Sequence, residues 1–330
     1  MKVLYIGGSG EISYCCVLES LERGHEVSVL NRAQTEQDLP KSVRRLHGDL
    51  TSESPYLALA GERFDVVCQF FAFDLARIET DIKTFSGRTA QYVFISTASA
   101  YAKPIDRHAR ITEATPLENP FWEYSQKKAR MEARLFEAQR TGQLPVTVVR
   151  PSHTYRRRLP SALGGGDWNA RRMLEGLPVI VHGDGTSLWT LTHSRDFARP
   201  FAGLLGNPRA LGEAFHITGE GVHTWDEILT QMGKALGLTP RLLHVASDTL
   251  VRHEPAWKGP LHGDKAPSTL FDNSKVASVA GPFPTTVSIE AGFQEAAPHV
   301  LGRLERGAGK DPALDAKVDQ ILREQFPSGI

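Results

Sequence analysis

The sequence predicts an α/β fold in which a doubly wound parallel sheet is joined to a smaller C-terminal α+β domain. Short apolar runs alternate with helical segments through the first 150 residues, which is typical of a parallel sheet covered by helices on both faces. The length of 330 residues exceeds what one hydrophobic core usually supports, so two domains are expected. A composition of 41% hydrophobic and 23% charged residues supplies enough apolar surface for such cores.

The N-terminal half carries the regular alternation. Residues 3–6 form a short apolar run that suits a buried strand, and residues 11–23 have helical character and end at Gly24. Residues 25–30 alternate as a second strand does, so the chain begins with one βαβ unit. Further strands are predicted at 44–47, 66–70, 92–96 and 146–150, with helices at 74–85 and 122–141.

The C-terminal half is less regular. A helix at 193–206 and a strand at 213–218 are predicted to return to the sheet. We therefore expect one domain from residues 1–155 plus about 185–220, and a second from about 156–184 plus 221–330. Residues 156–172 carry five arginines against one aspartate, and the glycine-rich residues 163–167 within them predict a loop. The last twenty-five residues predict a helix of mixed charge.

Composition also excludes several classes of protein. The 38 basic and 38 acidic residues give a net charge of zero, which argues against a surface that binds nucleic acid. Three cysteines are too few for a disulfide framework, and the twelve histidines lack metal-ligand spacing, so no metal site is expected. No signal peptide and no apolar run of about 18 residues is present. We expect a soluble cytoplasmic protein without a membrane partner.

A glycine-rich turn follows the first predicted strand and opens the first helix. It reads Gly-Gly-Ser-Gly-Glu-Ile-Ser over residues 7–13, with Ser13 where a third glycine is usual. Glycines in such a turn let the backbone approach a pyrophosphate, whose charge lies at the helix N-terminus. The turn therefore predicts dinucleotide binding rather than a tight turn alone. The residues expected to contact the cofactor here are Gly7, Gly8, Gly10, Glu11 and Ile12.

The end of the second predicted strand bears on the choice between NAD and NADP. An acid at this position would bind the ribose 2′-hydroxyl of NAD, but the sequence has Asn31 and Arg32. A guanidinium can pair with a 2′-phosphate, so these residues favour NADP over NAD. After the fourth strand, Phe71 and Ala72 belong to an apolar segment that is expected to form a wall beside a ribose of the cofactor.

A tyrosine and a lysine four residues apart predict acid/base chemistry. Tyr124 and Lys128 share one face of a predicted helix, and a nearby ammonium group lowers the pKa of a phenol. Such a tyrosine can exchange a proton with an alcohol or ketone oxygen while hydride moves at the same carbon. Upstream, a buried strand ends in Thr97, Ser99 and Tyr101, whose hydroxyls could bind the substrate oxygen.

These features together resemble the extended short-chain dehydrogenase/reductase family, and within it the NAD-dependent epimerase/dehydratase group, whose cofactor domain is a Rossmann fold. The resemblance covers nearly the whole chain and includes the motifs at 7–13, 48–50, 97–101, 124–128, 150–155, 183–185, 193–196 and 272–275. It implies that Tyr124 is the acid/base, that Lys128 binds the nicotinamide ribose, and that Thr97 takes the role of a catalytic hydroxyl. It also implies cofactor contacts from Asp49, Leu50, Pro151 and His153, and a homodimer formed through the helices at 74–85 and 122–141.

The sequence departs from that family at the substrate side. Trp189 stands where an arginine usually clamps the pyrophosphate of a nucleotide sugar, and an indole can stack on a sugar but cannot neutralise a diphosphate. Arg156, in the arginine-rich segment, is a candidate replacement for that arginine. Trp122 and Trp168 are further candidates for a saccharide site, although each could equally be core packing. Ala98 follows Thr97 where a dehydratase usually has an acid.

The sequence thus predicts an NAD(P)-dependent enzyme that acts on a secondary hydroxyl or ketone of a sugar, sugar nucleotide or related glycoside. An epimerase and an oxidoreductase share this machinery, and the sequence does not separate them. One alternative is an NADPH-dependent ketoreductase of a small biosynthetic intermediate. A second, of another class, is a non-catalytic RNA-associated protein of the same fold, against which the intact Thr97, Tyr124 and Lys128 argue.

Overall fold

The computed structural model describes residues 1–32, 39–52, 54, 56, 59, 61–103 and 110–327. Its main feature is a seven-stranded parallel sheet in the order β10-β6-β5-β4-β1-β2-β3, which confirms the predicted doubly wound sheet. The strands are β1 Lys2–Ile6, β2 Glu26–Asn31, β3 Arg44–His47, β4 Phe64–Gln69, β5 Thr89–Ile95, β6 Val146–Pro151 and β10 Ala214–Ile217. The last of these pairs with β6, so the strand predicted at 213–218 does return to the sheet.

Helices cover both faces of this sheet, because successive side chains of each strand point to opposite sides. Val3 and Tyr5 of β1 belong to one apolar cluster with α1 (Ser13–Glu22) and α5 (Ser194–Leu204). Leu4 and Ile6 belong to a second cluster with α2 (Leu75–Phe85) and α3 (Glu123–Arg140). The near-continuous apolar strands of the sequence are thus buried on both sides.

The remaining elements form a smaller layered region with its own apolar clusters. Its strands are arranged in a three-stranded sheet, β11-β9-β7, and a two-stranded sheet, β12-β8. Their bounds are β7 His153–Tyr155, β8 Val179–His182, β9 Leu188–His193, β11 Val222–Thr224 and β12 Leu242–Val245. The helices of this region are α4 Gly166–Leu174, α6 Trp225–Ala235, α7 Ser247–His253, α8 Lys258–Pro260 with a π-helical continuation Leu261–Lys265, α10 Ile289–Glu305 and α11 Pro312–Gln325. The remaining helix, α9 Ser274–Ala280, packs on the main sheet, where Val276 belongs to the same apolar cluster as α5.

The prediction of a loop at residues 163–167 is partly wrong. Gly164 and Gly165 adopt positive φ angles of 69° and 82° and form a turn, but α4 begins at Gly166. A Cβ on Gly166 would lie 2.1 Å from the carbonyl oxygen of Leu159, so glycine is required by close packing there. The glycine-rich segment therefore ends in a closely packed helix start.

Two of the five arginines in the arginine-rich segment pair with acids of α11. Arg171 and Arg172 on α4 both pair with Asp315, at 2.5 and 3.0 Å, and Arg172 also pairs with Asp319 at 2.7 Å. Because Arg172 is fully buried, these contacts hold α4 against α11. The charges of these two arginines are neutralised in this packing, which removes the basis for a nucleic-acid surface at Arg171 and Arg172.

A buried ion pair joins α3 to β6 and gives a test of this packing. The guanidinium of Arg150 donates to Glu132 at 2.6 Å, and both side chains are at least 95% buried. Replacing Glu132 by alanine leaves the arginine charge buried without its partner, so Glu132→Ala should lower the free energy of unfolding by about 3–5 kcal/mol.

Urea denaturation measures this change, and Glu137→Ala provides the control on the same helix. Glu137 is exposed and lies 3.8 Å from Arg134, so its removal should cost less than about 1 kcal/mol. Equal losses for the two variants would contradict the structural role assigned to Glu132.

Candidate active site

The carboxyl ends of β1, β4, β5 and β6 meet at one edge of the sheet, as they must in a parallel arrangement. Three adjoining cavities open along this edge, and we name each by one lining residue. The Arg32 cavity lies beside the end of β2, the Tyr124 cavity lies over the ends of β1, β5 and β6, and the Trp189 cavity faces the smaller layered region. Thr97, Pro151, Ser152 and His153 line both of the latter two, which therefore communicate.

The glycine turn is closely packed against the sheet. Gly7 adopts a φ of 84°, and a Cβ on Gly8 would lie 2.7 Å from the Val29 side chain on the neighbouring strand. Ser13 replaces the third glycine without loss, because its hydroxyl donates to the Gly7 carbonyl at 2.7 Å and accepts from the Gly10 N–H at 2.9 Å. Gly7, Gly10 and Ile12 line the Tyr124 cavity.

Glu11 has a role that its position in the turn does not reveal. It lines both the Arg32 and Tyr124 cavities, but one carboxylate oxygen accepts the backbone N–H groups of Arg156, Arg157 and Arg158 at 3.1, 2.8 and 3.1 Å. The Ser194 hydroxyl donates to the Glu11 carbonyl oxygen at 2.5 Å. Glu11 thus fastens the glycine turn to the loop after β7.

The Arg32 cavity brings together residues expected at the adenosine half of a dinucleotide. Asn31, Arg32, Leu50 and Phe71 line it, and so does Arg158, which belongs to the arginine-rich segment 156–172 and was not predicted at the cofactor. Two guanidinium groups therefore face this cavity. Asp49 is not among the residues that line this cavity, and its exposed carboxylate accepts the N–H and hydroxyl of Thr51, at 2.9 and 2.7 Å.

The hydroxyl groups predicted at the reacting centre are arranged in a chain. The Thr97 side chain forms a hydrogen bond that lowers the pKa of Tyr124. Thr97 Oγ1 lies 3.0 Å from Ser99 Oγ, which lies 2.8 Å from Ser125 Oγ. Thr97 lines both cavities, so a substrate oxygen placed between them would meet Thr97 and Tyr124 together.

Lys128 lines the Tyr124 cavity, although its effect on Tyr124 is not the one expected. Its ammonium donates to the carbonyl oxygens of Ala72 and Ile95, both at 2.9 Å, and lies 6.0 Å from the centre of the Tyr124 ring. Burial lowers the pKa of Lys128 to about 7. The pKa of Tyr124 is raised to about 12, because burial and the charge of Asp264 outweigh the hydrogen bond with Thr97.

The Trp189 cavity combines aromatic walls, hydroxyl groups and one ion pair. Of the predicted substrate residues, Ser99, Trp122 and Trp189 line it. Asp264 and Lys265 line it as well, with Lys265 Nζ 3.0 Å from Asp264 Oδ2. Sequence reasoning missed this pair, because only the fold brings the π-helical segment Leu261–Lys265 to the ends of the strands.

Three predicted substrate residues are packed against other side chains outside the Tyr124 and Trp189 cavities. Tyr101 is fully buried, and its hydroxyl lies 3.0 Å from His216 Nδ1 and 3.2 Å from the Arg150 guanidinium. Arg156 stacks on the Tyr14 ring at 4.0 Å from its centre. The Trp168 indole donates to Asp315 at 3.1 Å within an apolar cluster. None of the three lines the Tyr124 or Trp189 cavities, because other packed side chains engage them.

Two further properties of the described residues complete the site. They contain no group of three histidine, cysteine, aspartate or glutamate side chains arranged to hold a metal ion. Nor does any of their helices combine the length and hydropathy needed to span a bilayer.

The chain is similar to curated proteins of more than one kind. It is 30% identical over 243 residues to 2'-dehydrokanamycin reductase from Streptomyces kanamyceticus, which covers 72% of this chain and 67% of that protein. It is 26% identical over 259 residues to the chloroplast stem-loop binding protein of 41 kDa b from Arabidopsis thaliana, which covers 74% of this chain and 65% of that protein. The chain thus spans about two thirds of the length of these relatives.

The fold itself matches a solved structure and a protein family. UDP-glucose 4-epimerase from Thermus thermophilus, in complex with NAD, superposes with a TM-score of 0.71 at 24% identity, over 93% of this chain and 100% of that one. The sheet is therefore of the Rossmann type. The profile of the NAD dependent epimerase/dehydratase family matches residues 3–218. The match covers well over half of the chain, which therefore belongs to the NAD-dependent epimerase/dehydratase family of enzymes.

Proposed function

We propose that this protein reduces a ketone, or oxidises the corresponding secondary alcohol, of a sugar-like substrate with NADP(H), and that Tyr124 is the acid/base. The observation that carries the proposal is that Thr97, which lines both the Tyr124 and Trp189 cavities, forms a hydrogen bond with Tyr124 in the wall of the first. A cofactor ring in the first cavity and a substrate ring in the second would meet at these hydroxyl groups. The aromatic side chains of Trp122 and Trp189 suit a saccharide ring.

The residues of the chain would divide the work as follows. Bound NADPH supplies the hydride. Tyr124, whose raised pKa keeps it protonated at neutral pH, donates a proton to the ketone oxygen, and Thr97 holds that oxygen by a second hydrogen bond. Lys128, whose ammonium donates to two carbonyl groups, has one N–H left that would bind the ribose, and its charge would stabilise the phenolate that forms. Pro151 and His153 line both cavities, at the point where the two communicate.

Three features favour net reduction over epimerisation of a nucleotide sugar. Arg32 and Arg158 both line the cavity proposed for the adenosine half, where they would pair with the 2′-phosphate of NADP. Within the described residues, no arginine lines the Trp189 cavity, so a nucleotide diphosphate lacks its usual partner. The relative at 30% identity is named as a reductase. An epimerase that retains NAD is the alternative, and it would show no net consumption of cofactor.

RNA binding is the less favoured class, although one relative is named as a stem-loop binding protein. Arg171 and Arg172 are held by Asp315 and Asp319, and Arg156 stacks on Tyr14. A basic strip that could follow a phosphate backbone is therefore reduced to few side chains.

We also propose that the protein forms a homodimer through α2 and α3. Sedimentation velocity of the purified protein tests whether it is a dimer.

The preference for NADP gives a sharp prediction at Arg32. A charge-assisted hydrogen bond contributes about 1.5–3 kcal/mol, so Arg32→Ala should weaken NADP binding about 10–100-fold. NAD carries no 2′-phosphate, so its dissociation constant should hardly change. Isothermal titration calorimetry with both dinucleotides measures the two values.

Arg88→Ala is the control for this experiment, because Arg88 is exposed at the opposite end of the sheet, just before β5. It should leave both affinities as they are. A wild-type protein that binds NAD more tightly than NADP would refute the proposed cofactor.

The activity itself is tested by NADPH oxidation, followed by absorbance, with a panel of keto sugars that includes 2'-dehydrokanamycin. We expect consumption of NADPH with at least one member of the panel. A purified protein that instead retains NAD and interconverts epimers without net turnover would replace the reductase with the epimerase.

A further inference from the structure

The Arg32 cavity is bordered by a contact between two distant parts of the chain. One carboxylate oxygen of Glu11 accepts three consecutive backbone N–H groups, those of residues 156–158, at 3.1, 2.8 and 3.1 Å. Consecutive N–H groups that converge on one point form a backbone site for an anion. Here the carboxylate of Glu11 fills that site, so the glycine turn fixes where the backbone of residues 156–158 lies.

The side chain of Arg158 is held less firmly than its backbone. It is 66% exposed, and its guanidinium lies 3.9 Å from the Asp167 carboxylate. That carboxylate is already engaged by Arg303, at 2.7 and 2.8 Å, so it holds Arg158 weakly. Arg158 nevertheless lines the Arg32 cavity together with Arg32. Its place in that wall therefore depends on where its backbone N–H is anchored, which is at Glu11.

Glu11 affects the two candidate cofactors in different ways. It lines the Arg32 cavity beside Gly7 and Gly10 of the turn that is proposed to hold the pyrophosphate. A carboxylate there repels the pyrophosphate, and this repulsion is the same for NAD and NADP because both contain that group. The position of Arg158, in contrast, matters only for the 2′-phosphate, which NADP alone carries. The ratio of the two dissociation constants therefore separates the second effect from the first.

We propose that Glu11 is a positioning residue for cofactor selectivity: it holds the backbone of residues 156–158 so that the Arg158 guanidinium meets the 2′-phosphate of NADP. This inference rests on the proposed function in taking NADP(H) as the cofactor.

Other hydrogen bonds keep the segment near the turn when the Glu11 carboxylate is removed. The Ser194 hydroxyl donates to the Glu11 carbonyl oxygen at 2.5 Å and to the Tyr155 carbonyl oxygen at 2.9 Å. Arg303 donates to the Arg157 carbonyl oxygen at 2.9 Å. Loss of the carboxylate should therefore release the three N–H groups without unfolding the segment.

Calorimetric titration of the full chain with NADP⁺ and NAD⁺ tests this proposal. The readout is the dissociation constant of NAD⁺ divided by that of NADP⁺, which we call the selectivity ratio. Arg158→Ala should lower this ratio about tenfold, which corresponds to the loss of one charge-assisted hydrogen bond. Glu11→Ala should lower it by a similar factor although Arg158 is still present. Glu11→Gln keeps one acceptor oxygen and should fall between Glu11→Ala and the wild type.

The double variant Glu11→Ala/Arg158→Ala tests whether the two residues act through one contact. Its selectivity ratio should be no lower than that of Arg158→Ala, because both changes remove the same interaction with the 2′-phosphate. Hydrogen exchange followed by mass spectrometry examines the backbone directly. The amides of residues 156–158 should exchange faster in Glu11→Ala than in the wild type, and at the wild-type rate in Arg158→Ala.

Glu22→Ala is the matched control, since Glu22 is an exposed acid at the other end of α1 and should change neither the ratio nor the exchange. A wild-type ratio in Glu11→Ala, independent losses in the double variant, or unchanged exchange would each overturn the proposal. In those cases a lowered ratio in Arg32→Ala would still support NADP as the cofactor. A wild-type protein that binds NAD⁺ more tightly would instead refute the proposed cofactor, and this inference with it. If Glu11→Ala fails to fold, a wild-type ratio in Glu11→Gln overturns the proposal.

Discussion

Replacing Tyr124 by phenylalanine is expected to lower kcat about 10²–10⁴-fold, which is the usual contribution of a positioned general acid. The ring remains, and with it the packing against Trp122 at 5.1 Å between centroids. Only the proton donor is lost. Thr97 cannot replace it, because its aliphatic hydroxyl is a much weaker acid than a phenol and would have to become an alkoxide. The dissociation constant for NADP⁺ should stay within about twofold.

Steady-state kinetics with the best keto sugar of the panel measure this effect. Tyr14→Phe removes a phenol hydroxyl outside the Tyr124 and Trp189 cavities and serves as the control. Its kcat should be close to that of the wild type. Wild-type turnover in Tyr124→Phe would refute the acid/base assignment. A large rise in the cofactor dissociation constant would show that the hydroxyl serves binding instead.

Replacing Lys128 by methionine should damage both cofactor affinity and turnover. The ammonium is proposed to donate to the nicotinamide ribose, so its loss should weaken NADP⁺ binding about 10–100-fold. It should also lower kcat, because the phenolate of Tyr124 loses the only cation near it among the lining residues of the Tyr124 cavity. Methionine keeps most of the side-chain volume and limits the cavity that alanine would create.

Lys127→Met is the control at the neighbouring position. Lys127 is exposed and pairs with Glu123 at 3.0 Å along the helix surface, so its removal should change neither parameter. Unaltered cofactor binding in Lys128→Met would put the ribose contact in doubt, even if turnover fell. Thermal denaturation checks that both variants fold, since Lys128 is buried and its two carbonyl partners tie α3 to β5 and to Ala72.

The sequence predicted the sheet well where apolar periodicity decides the structure. The run at 3–6 became β1 and the alternation at 25–30 became β2, because both strands are buried on two faces. β5 begins at Thr89, three residues before its predicted start, since Thr89 and Gln91 pair with β4 although they are polar. The strands described outside the main sheet were missed, including the six-residue β9, and the other four are only three or four residues long, where periodicity is weak.

The candidate site was predictable where a residue acts through its local motif. Tyr124, Lys128, Thr97 and the glycine turn follow directly from strand ends and helix faces. Tyr101 looked identical in that respect, yet its partners, His216 and Arg150, come from other parts of the chain and make it structural. Asp264 and Lys265 are the reverse case, since neither belongs to a motif and only packing brings them to the cavity.

Hydride transfer at a carbonyl carbon between the Tyr124 and Trp189 cavities can be followed by labelling the hydride. NADPH deuterated separately on each face of nicotinamide C4 would be turned over with the keto-sugar panel, and the products analysed by mass spectrometry. We expect one deuterium, from one face only, on the carbon that becomes the alcohol, and almost none with Tyr124→Phe. Oxidation of NADPH with no deuterium in any product, or full incorporation by Tyr124→Phe, would contradict it.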